Sequence, residues 1–139
     1  MRVFPMLRAA TAIIALSITG FARAETPADF LRSFEAAAKQ DAAGFAGFSA
    51  QRGEAFFKNP HGREWSCAAC HTQNPAAEGR HAKTNKPIAP LAPAANAERF
   101  ARTDKVEKWF KRNCNDVLGR ACTPLEKGDV LAYLMSLKK

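Results

Sequence analysis

Cys67-Ala68-Ala69-Cys70-His71 constrains this chain more than any other stretch. Two thiols three residues apart can add across the two vinyl groups of one haem, and a histidine beside the second can then reach the iron from the proximal side. Neutral imidazole is a good ligand for iron in either oxidation state. Zinc sites and redox dithiols also use C-x-x-C. Zinc, however, wants two more Cys or His ligands at matching spacing, and a thioredoxin-like dithiol wants a βαβ setting. Neither pattern is present. The expectation is one covalently attached haem c, linked through Cys67 and Cys70, with His71 as the proximal iron ligand.

The start of the chain reads as an address. Arg2 and Arg8 give a positive beginning, Ala9 to Thr19 form an apolar run, and Ala22-Arg23-Ala24 is the small-x-small pattern cut by signal peptidase. The run is about half the ~20 apolar residues that a spanning helix needs. Residues 1–24 are therefore expected to be a signal peptide and the protein to be periplasmic, not integral to a membrane. Residues 25–139 then form one haem-carrying domain. Three of the 21 basic residues and none of the 13 acids fall in the signal, so the remainder carries +5. A modest basic surface suits docking to an acidic redox partner. The Lys and Arg residues look scattered rather than gathered into one stripe, which argues against nucleic acid.

Cys114 and Cys122 remain after the haem motif is counted, and an exported chain meets an oxidising compartment, so they are expected to form a disulfide. Eight residues of unbroken helix would hold their Cα atoms about 12 Å apart, beyond the ~7 Å that a disulfide spans. The chain must turn back between them, and Gly119 is the natural stop.

Helical signals fill most of the rest. Thr26 caps a helix with Pro27 in its first turn and an apolar stripe at Phe30, Leu31, Phe34, Ala37 and Ala38. Ser49 caps a second helix, Ala50 to about Lys58, ended by Asn59-Pro60-His61-Gly62. Thr103 is expected to cap a third, with Val106, Trp109, Phe110 and Val117 on one face. Thr123-Pro124-Leu125-Glu126 is a capping box opening a last helix whose Leu131, Leu134 and Leu137 face the core. Residues 72–102 carry four prolines and little periodicity, with a short helix possible near 94–100. A loop that long needs something to wrap, and a haem has large apolar faces. No segment reads as a convincing strand. The fold class is all-α.

The sixth iron ligand is less determined. Met135 lies inside the last helix, His61 on a tight turn before the motif, and His81 in a basic loop soon after it. Asn113 lies within about 60° of Val106, Trp109, Phe110 and Val117 around the third helix, whereas Asn115 points away. An amide on such a face needs a partner, which a core hydrogen bond or a metal would equally supply.

Arg52-Gly53-Glu54, Phe56-Phe57, the haem motif and the terminal Asp129-Val130-Leu131-Ala132-Tyr133-Leu134 resemble the class I cytochromes c. In that family the first and last helices cross at a glycine. Carried over, Gly53 and Phe57 meet the Leu131–Leu134 face. Trp65-Ser66, His71-Thr72-Gln73-Asn74-Pro75 and Lys108-Trp109-Phe110-Lys111-Arg112-Asn113-Cys114-Asn115-Asp116 further resemble the sphaeroides haem protein (SHP) family of oxygen-binding cytochromes c. That resemblance implies His71 and Asn113 as the axial pair, an Asn ligand that leaves on reduction, and the Cys114–Cys122 disulfide beside it. It also implies O2, NO or CO binding to the reduced protein, and a multihaem or membrane cytochrome as redox partner. An ordinary six-coordinate electron carrier using His61, His81 or Met135 is the alternative. An enzyme acting on a small diatomic molecule is the weakest reading, because the sequence offers no acid–base pair for the distal face.

Overall fold

The computed structural model describes residues 24–138, so all but the last residue of the expected export signal lies outside the described residues. The elements run α1 (Pro27–Asp41), α2 (Ala50–Lys58), α3 (Ala68–His71), β1 (Gly79–Arg80), β2 (Pro87–Ile88), α4 (Thr103–Leu118) and α5 (Pro124–Ser136). Among the described residues, no helix is long and apolar enough to cross a membrane.

Local chemistry sets most of these boundaries. Thr26 and Asp29 form a reciprocal capping box at the start of α1, as Thr123 and Glu126 do for α5, each with proline in the first turn. Ser49 caps α2 by accepting from the Arg52 N–H at 3.2 Å. Gly119 ends α4 in the left-handed region at φ 75°, and its N–H donates to the Asn115 carbonyl at 2.9 Å. That conformation carries little penalty for a residue without Cβ.

Four expectations are corrected. Thr103 is the first residue of α4 and not its cap. The cap is Arg102, which contributes no side-chain bond, and the Glu25 carboxylate accepts from the Thr103 N–H at 2.7 Å and from its hydroxyl. The short helix expected near 94–100 is a run of turns that ends at Phe100 with φ 56°. Residues 79–80 and 87–88 pair antiparallel, Gly79 with Ile88 and Arg80 with Pro87. Two-residue strands are too short for period-2 patterning to register. Trp109 does not join the inward face: it is 44% exposed, between Lys108 and Arg112.

The core is the crossing of α2 and α5, with α1 laid against α5. At Gly53 the two backbones touch: a Cβ there would lie 1.9 Å from the Asp129 carbonyl oxygen and 3.0 Å from the Tyr133 Cβ. Phe57, Leu131 and Leu134 are buried at this crossing, and the Phe57 and Tyr133 rings sit 5.7 Å apart. Leu137 follows the end of α5 and still packs on the core. The α1 aromatics extend the core towards α4, with Phe34 edge-on to Phe110 at 5.7 Å and Phe30 against Phe100 at 6.4 Å.

One charged group is built into the crossing. The buried Asp129 carboxylate accepts from the Ser49 N–H at 2.6 Å and from Arg52 at 2.8 and 2.9 Å. It thereby holds the start of α2 to α5. Replacing Asp129 with alanine leaves the Ser49 N–H without its acceptor, while the half-exposed Arg52 can turn to water. The expected loss is about 2 kcal/mol, read from the denaturant midpoint.

Candidate haem site

The segment around α3 is a single helical turn. The Cys70 and His71 N–H groups both donate to the Cys67 carbonyl, at 3.2 and 3.0 Å. Both thiols and the imidazole are thus carried on one turn of chain. Thr72 then leaves the helix at φ 62°, fixed by its hydroxyl donating to the Asn74 carbonyl at 2.7 Å. Buried Pro75 anchors the following loop, its carbonyl accepting from Leu91 at 2.8 Å and Ala92 at 3.0 Å.

Gly79 is a residue that sequence reading missed. A Cβ there would meet the Cys70 carbonyl oxygen at 2.2 Å and the His71 Cα at 3.0 Å. Only glycine lets β1 lie directly on the haem-motif turn. A lone glycine in an aperiodic stretch carries no signal of that contact. Ala82, just past β1, donates its N–H towards the Cys70 sulfur at 3.3 Å.

Cys67 and Cys70 are free thiols, not joined to one another. Burial, with the neighbouring Cys70 adding to it, pushes the Cys67 thiol up to about 11. Burial lowers His71 to about 4, and the nearby Arg99 charge adds to the effect. The imidazole is therefore neutral at physiological pH, the form that binds metal. It makes no hydrogen bond to a protein group among the described residues, and the Phe57 ring lies 6.2 Å from it. Arg99 is the second missed residue. It donates to the Pro90 carbonyl at 3.0 Å and the Ala89 carbonyl at 2.7 Å, bracing the long loop. No group of three or more His, Cys, Asp or Glu side chains able to hold a metal ion occurs among the described residues, so the C-x-x-C has no zinc-type ligand set around it. Two free thiols, an unengaged neutral imidazole and apolar Leu91, Ala92 and Phe100 on the loop suit a covalently attached haem.

The other candidates separate by position. Met135 is 40% exposed on the outer side of α5. The His61 Nε2 is 2.8 Å from the Phe56 carbonyl, and its ring stacks on Phe56 at 4.3 Å. His81 spends its Nδ1 on the Lys83 and Thr84 N–H groups at 3.2 and 3.3 Å, inside the turn that joins β1 to β2. Asn113 differs from all three. It is half-buried on α4, on the side of Val106 and Val117, and its amide has no hydrogen-bond partner among the described residues. Asn115 is exposed.

The next residue after Asn113 closes the disulfide: Cys114 and Cys122 are bonded, with Cα atoms 5.5 Å apart, the chain turning back at Gly119. Lys127 adds a second tie between α4 and α5, pairing with Glu107 at 2.7 Å above the Phe34 and Phe110 rings. Replacing both cysteines with serine opens a short loop and is expected to lower stability by about 2.5 kcal/mol, measured by denaturation of the haem-loaded protein.

Helices crossing at a glycine, with a C-x-x-C-H turn between them and a long loop bringing apolar side chains towards it, make the all-α fold of a class I cytochrome c. Residues 43–134 match the family described as "Domain of unknown function (DUF1924)". The chain is 43% identical over 113 residues to the cytochrome c-type protein SHP of Cereibacter sphaeroides, covering 78% of this chain and 82% of that protein. It is 51% identical over 83 residues to cytochrome c'' of Methylophilus methylotrophus, covering 60% of this chain and 58% of that protein's length. The structure of oxidised SHP, described as an oxygen-binding cytochrome c, superposes with TM-score 0.72 at 41% identity, over 82% of this chain and 99% of that one. A solution structure of cytochrome c'' concerned with haem-ligand detachment superposes with TM-score 0.71 at 39% identity, over 81% and 94%. The chain belongs to this family, among monohaem cytochromes c of the SHP and cytochrome c'' type, and carries one haem c.

Proposed function

We propose that this is a periplasmic monohaem cytochrome c in which the Asn113 amide oxygen is the sixth ligand of the oxidised iron and leaves on reduction. The reduced protein then binds O2, NO or CO as well as exchanging electrons. The observation that carries the reading is the unengaged Asn113 amide on the inner side of α4, one residue before the disulfide. The oxygen binding stated for SHP and the ligand detachment addressed for cytochrome c'' support it. So does the engagement or exposure of His61, His81 and Met135. Cys67, Cys70 and His71 would hold the haem, which would supply a one-electron couple and a site for a diatomic ligand.

The chain's own residues account for the switch. An amide oxygen is a hard, neutral, weak donor that ferric iron tolerates and ferrous iron holds poorly. His71, neutral and half-buried, would hold the iron in both states. The disulfide and the Lys127–Glu107 pair hold α4, which would limit how far the Asn113 amide could swing from the iron. The absence of a Met ligand is expected to leave the potential below that of Met/His cytochromes. The role of residues 1–24 as export signal belongs to the same proposal.

The test is the optical spectrum of the dithionite-reduced haem protein under argon, before and after CO. A high-spin spectrum that shifts at once on CO addition is expected. A sharp low-spin spectrum indifferent to CO would make this an ordinary electron carrier.

A further inference from the structure

We propose that the outer face of α4, where Lys105, Lys108 and Arg112 surround the exposed ring of Trp109, is the docking surface for an acidic redox protein. The proposal rests on reading the chain as an electron-exchanging cytochrome, and it assigns that exchange to one face. Positions 105, 108, 109 and 112 fall within about 100° of arc around a helix. Trp109 is 44% exposed, with the Lys108 Nζ 5.9 Å and the Arg112 Cζ 5.6 Å from its ring.

Most of the charges here are unpaired within the fold, although the Asp104 carboxylate lies beside Lys105. Of the acids on α4, Asp104 is taken by Arg102 at 2.8 Å and Glu107 by Lys127 at 2.7 Å. Among the described residues no carboxylate forms an ion pair with Lys105, Lys108, Lys111 or Arg112, and Asp116 is the remaining acid of the helix. Cations that look scattered along the sequence are thus gathered by the helix around one aromatic ring. An exposed Trp ringed by cations is the composition of an interface hot spot, and unpaired cations steer an acidic partner.

The face also adjoins the long loop between α3 and α4. A cavity of about 520 Å³ brings Lys105, Lys108 and Trp109 together with Arg99 of the loop, and the acids Glu98 and Asp104 share its lining. Trp109 lies one turn before Asn113. A protein rather than a lipid surface fits, because α4 turns Val106, Phe110 and Val117 inward and keeps a single large hydrophobic side chain outside. An interfacial membrane helix needs its apolar face free.

The test uses the haem-loaded protein and reduced flavodoxin, a small acidic flavoprotein, mixed in stopped flow at increasing NaCl. One electron passes from the flavin to the ferric haem, and no atom is transferred. The wild-type rate is expected to fall steeply with salt. A K108E/R112E variant is expected to be slower by about tenfold at low salt and nearly salt-independent. A K39E variant, reversed at the end of α1, is expected to stay within about twofold of wild type. An unchanged CO response of each dithionite-reduced variant shows that the haem site is intact. Equal rates for wild type and K108E/R112E, or equal slowing by K39E, would overturn the proposal while leaving the haem reading standing. So would charge-dependent binding to phosphatidylglycerol vesicles with unaltered flavodoxin rates. A wild-type protein that dithionite reduces but that shows no CO response would instead remove the gas-binding reading and leave the docking result to be judged separately.

Discussion

Reduced Asn113→His protein is expected to stay low-spin and to bind CO about 100-fold more weakly than wild type, because imidazole holds ferrous iron and leaves only a small fraction open. The same helix turn carries the new side chain, and the disulfide at Cys114 limits how far it can retreat. Asn113→Ala is expected to move the other way. With no side-chain donor at 113, the oxidised protein becomes high-spin or water-ligated, while CO binding to the reduced protein stays close to wild type. Optical spectra of both oxidation states, with CO titration of the reduced form, separate the two variants. An Asn113→Ala protein with an unchanged ferric spectrum would show that Asn113 is not the ligand.

Gly53→Ala is expected to be the most destabilising single-methyl change in the core. The added carbon would lie 1.9 Å from a backbone oxygen of Asp129, which cannot rotate away as a flexible side chain could. The helices must separate, and that loosens Phe57, Leu131 and Leu134 together with the Arg52–Asp129 pair. Overpacking of this kind costs about 3 kcal/mol, or roughly 15 °C in the melting temperature of a domain this size. Gly44→Ala is the control: a Cβ there meets nothing within 4 Å, and the melting temperature should barely move.

The fold was legible where a local rule and a packing rule agreed. Thr26, Ser49 and Thr123 each combine a capping side chain with an apolar-periodic run, and each begins a helix within a residue of expectation. Thr103 misled because it satisfies the composition of a cap, whereas the helix start takes its side-chain acceptor from Glu25, 78 residues away. Trp109 misled in the opposite direction. Helical phase puts it at the margin of the inward face, and phase alone cannot say that a marginal ring turns outward towards Lys108 and Arg112. Cys67, Cys70 and His71 stand out in the sequence as a candidate haem motif because their chemistry is local to five residues, and one helical turn carries all three. Gly79 and Arg99 were not, since each matters through a neighbour that a long aperiodic loop brings to it: the Cys70 carbonyl for one, and the Ala89 and Pro90 carbonyls with His71 for the other.

The bond from Glu25 to Thr103 joins two stages in the life of the chain. Glu25 directly follows Ala24, the residue after which the export signal is expected to be cut. On that expectation, the side chain that completes the start of α4 belongs to the first residue left after the cut. Trimming one residue too far removes it, and the helix bearing Asn113 then begins with a frayed turn. A cut one residue further on would thus yield a second population, alike in mass to within one residue but different in how firmly the start of α4 is held.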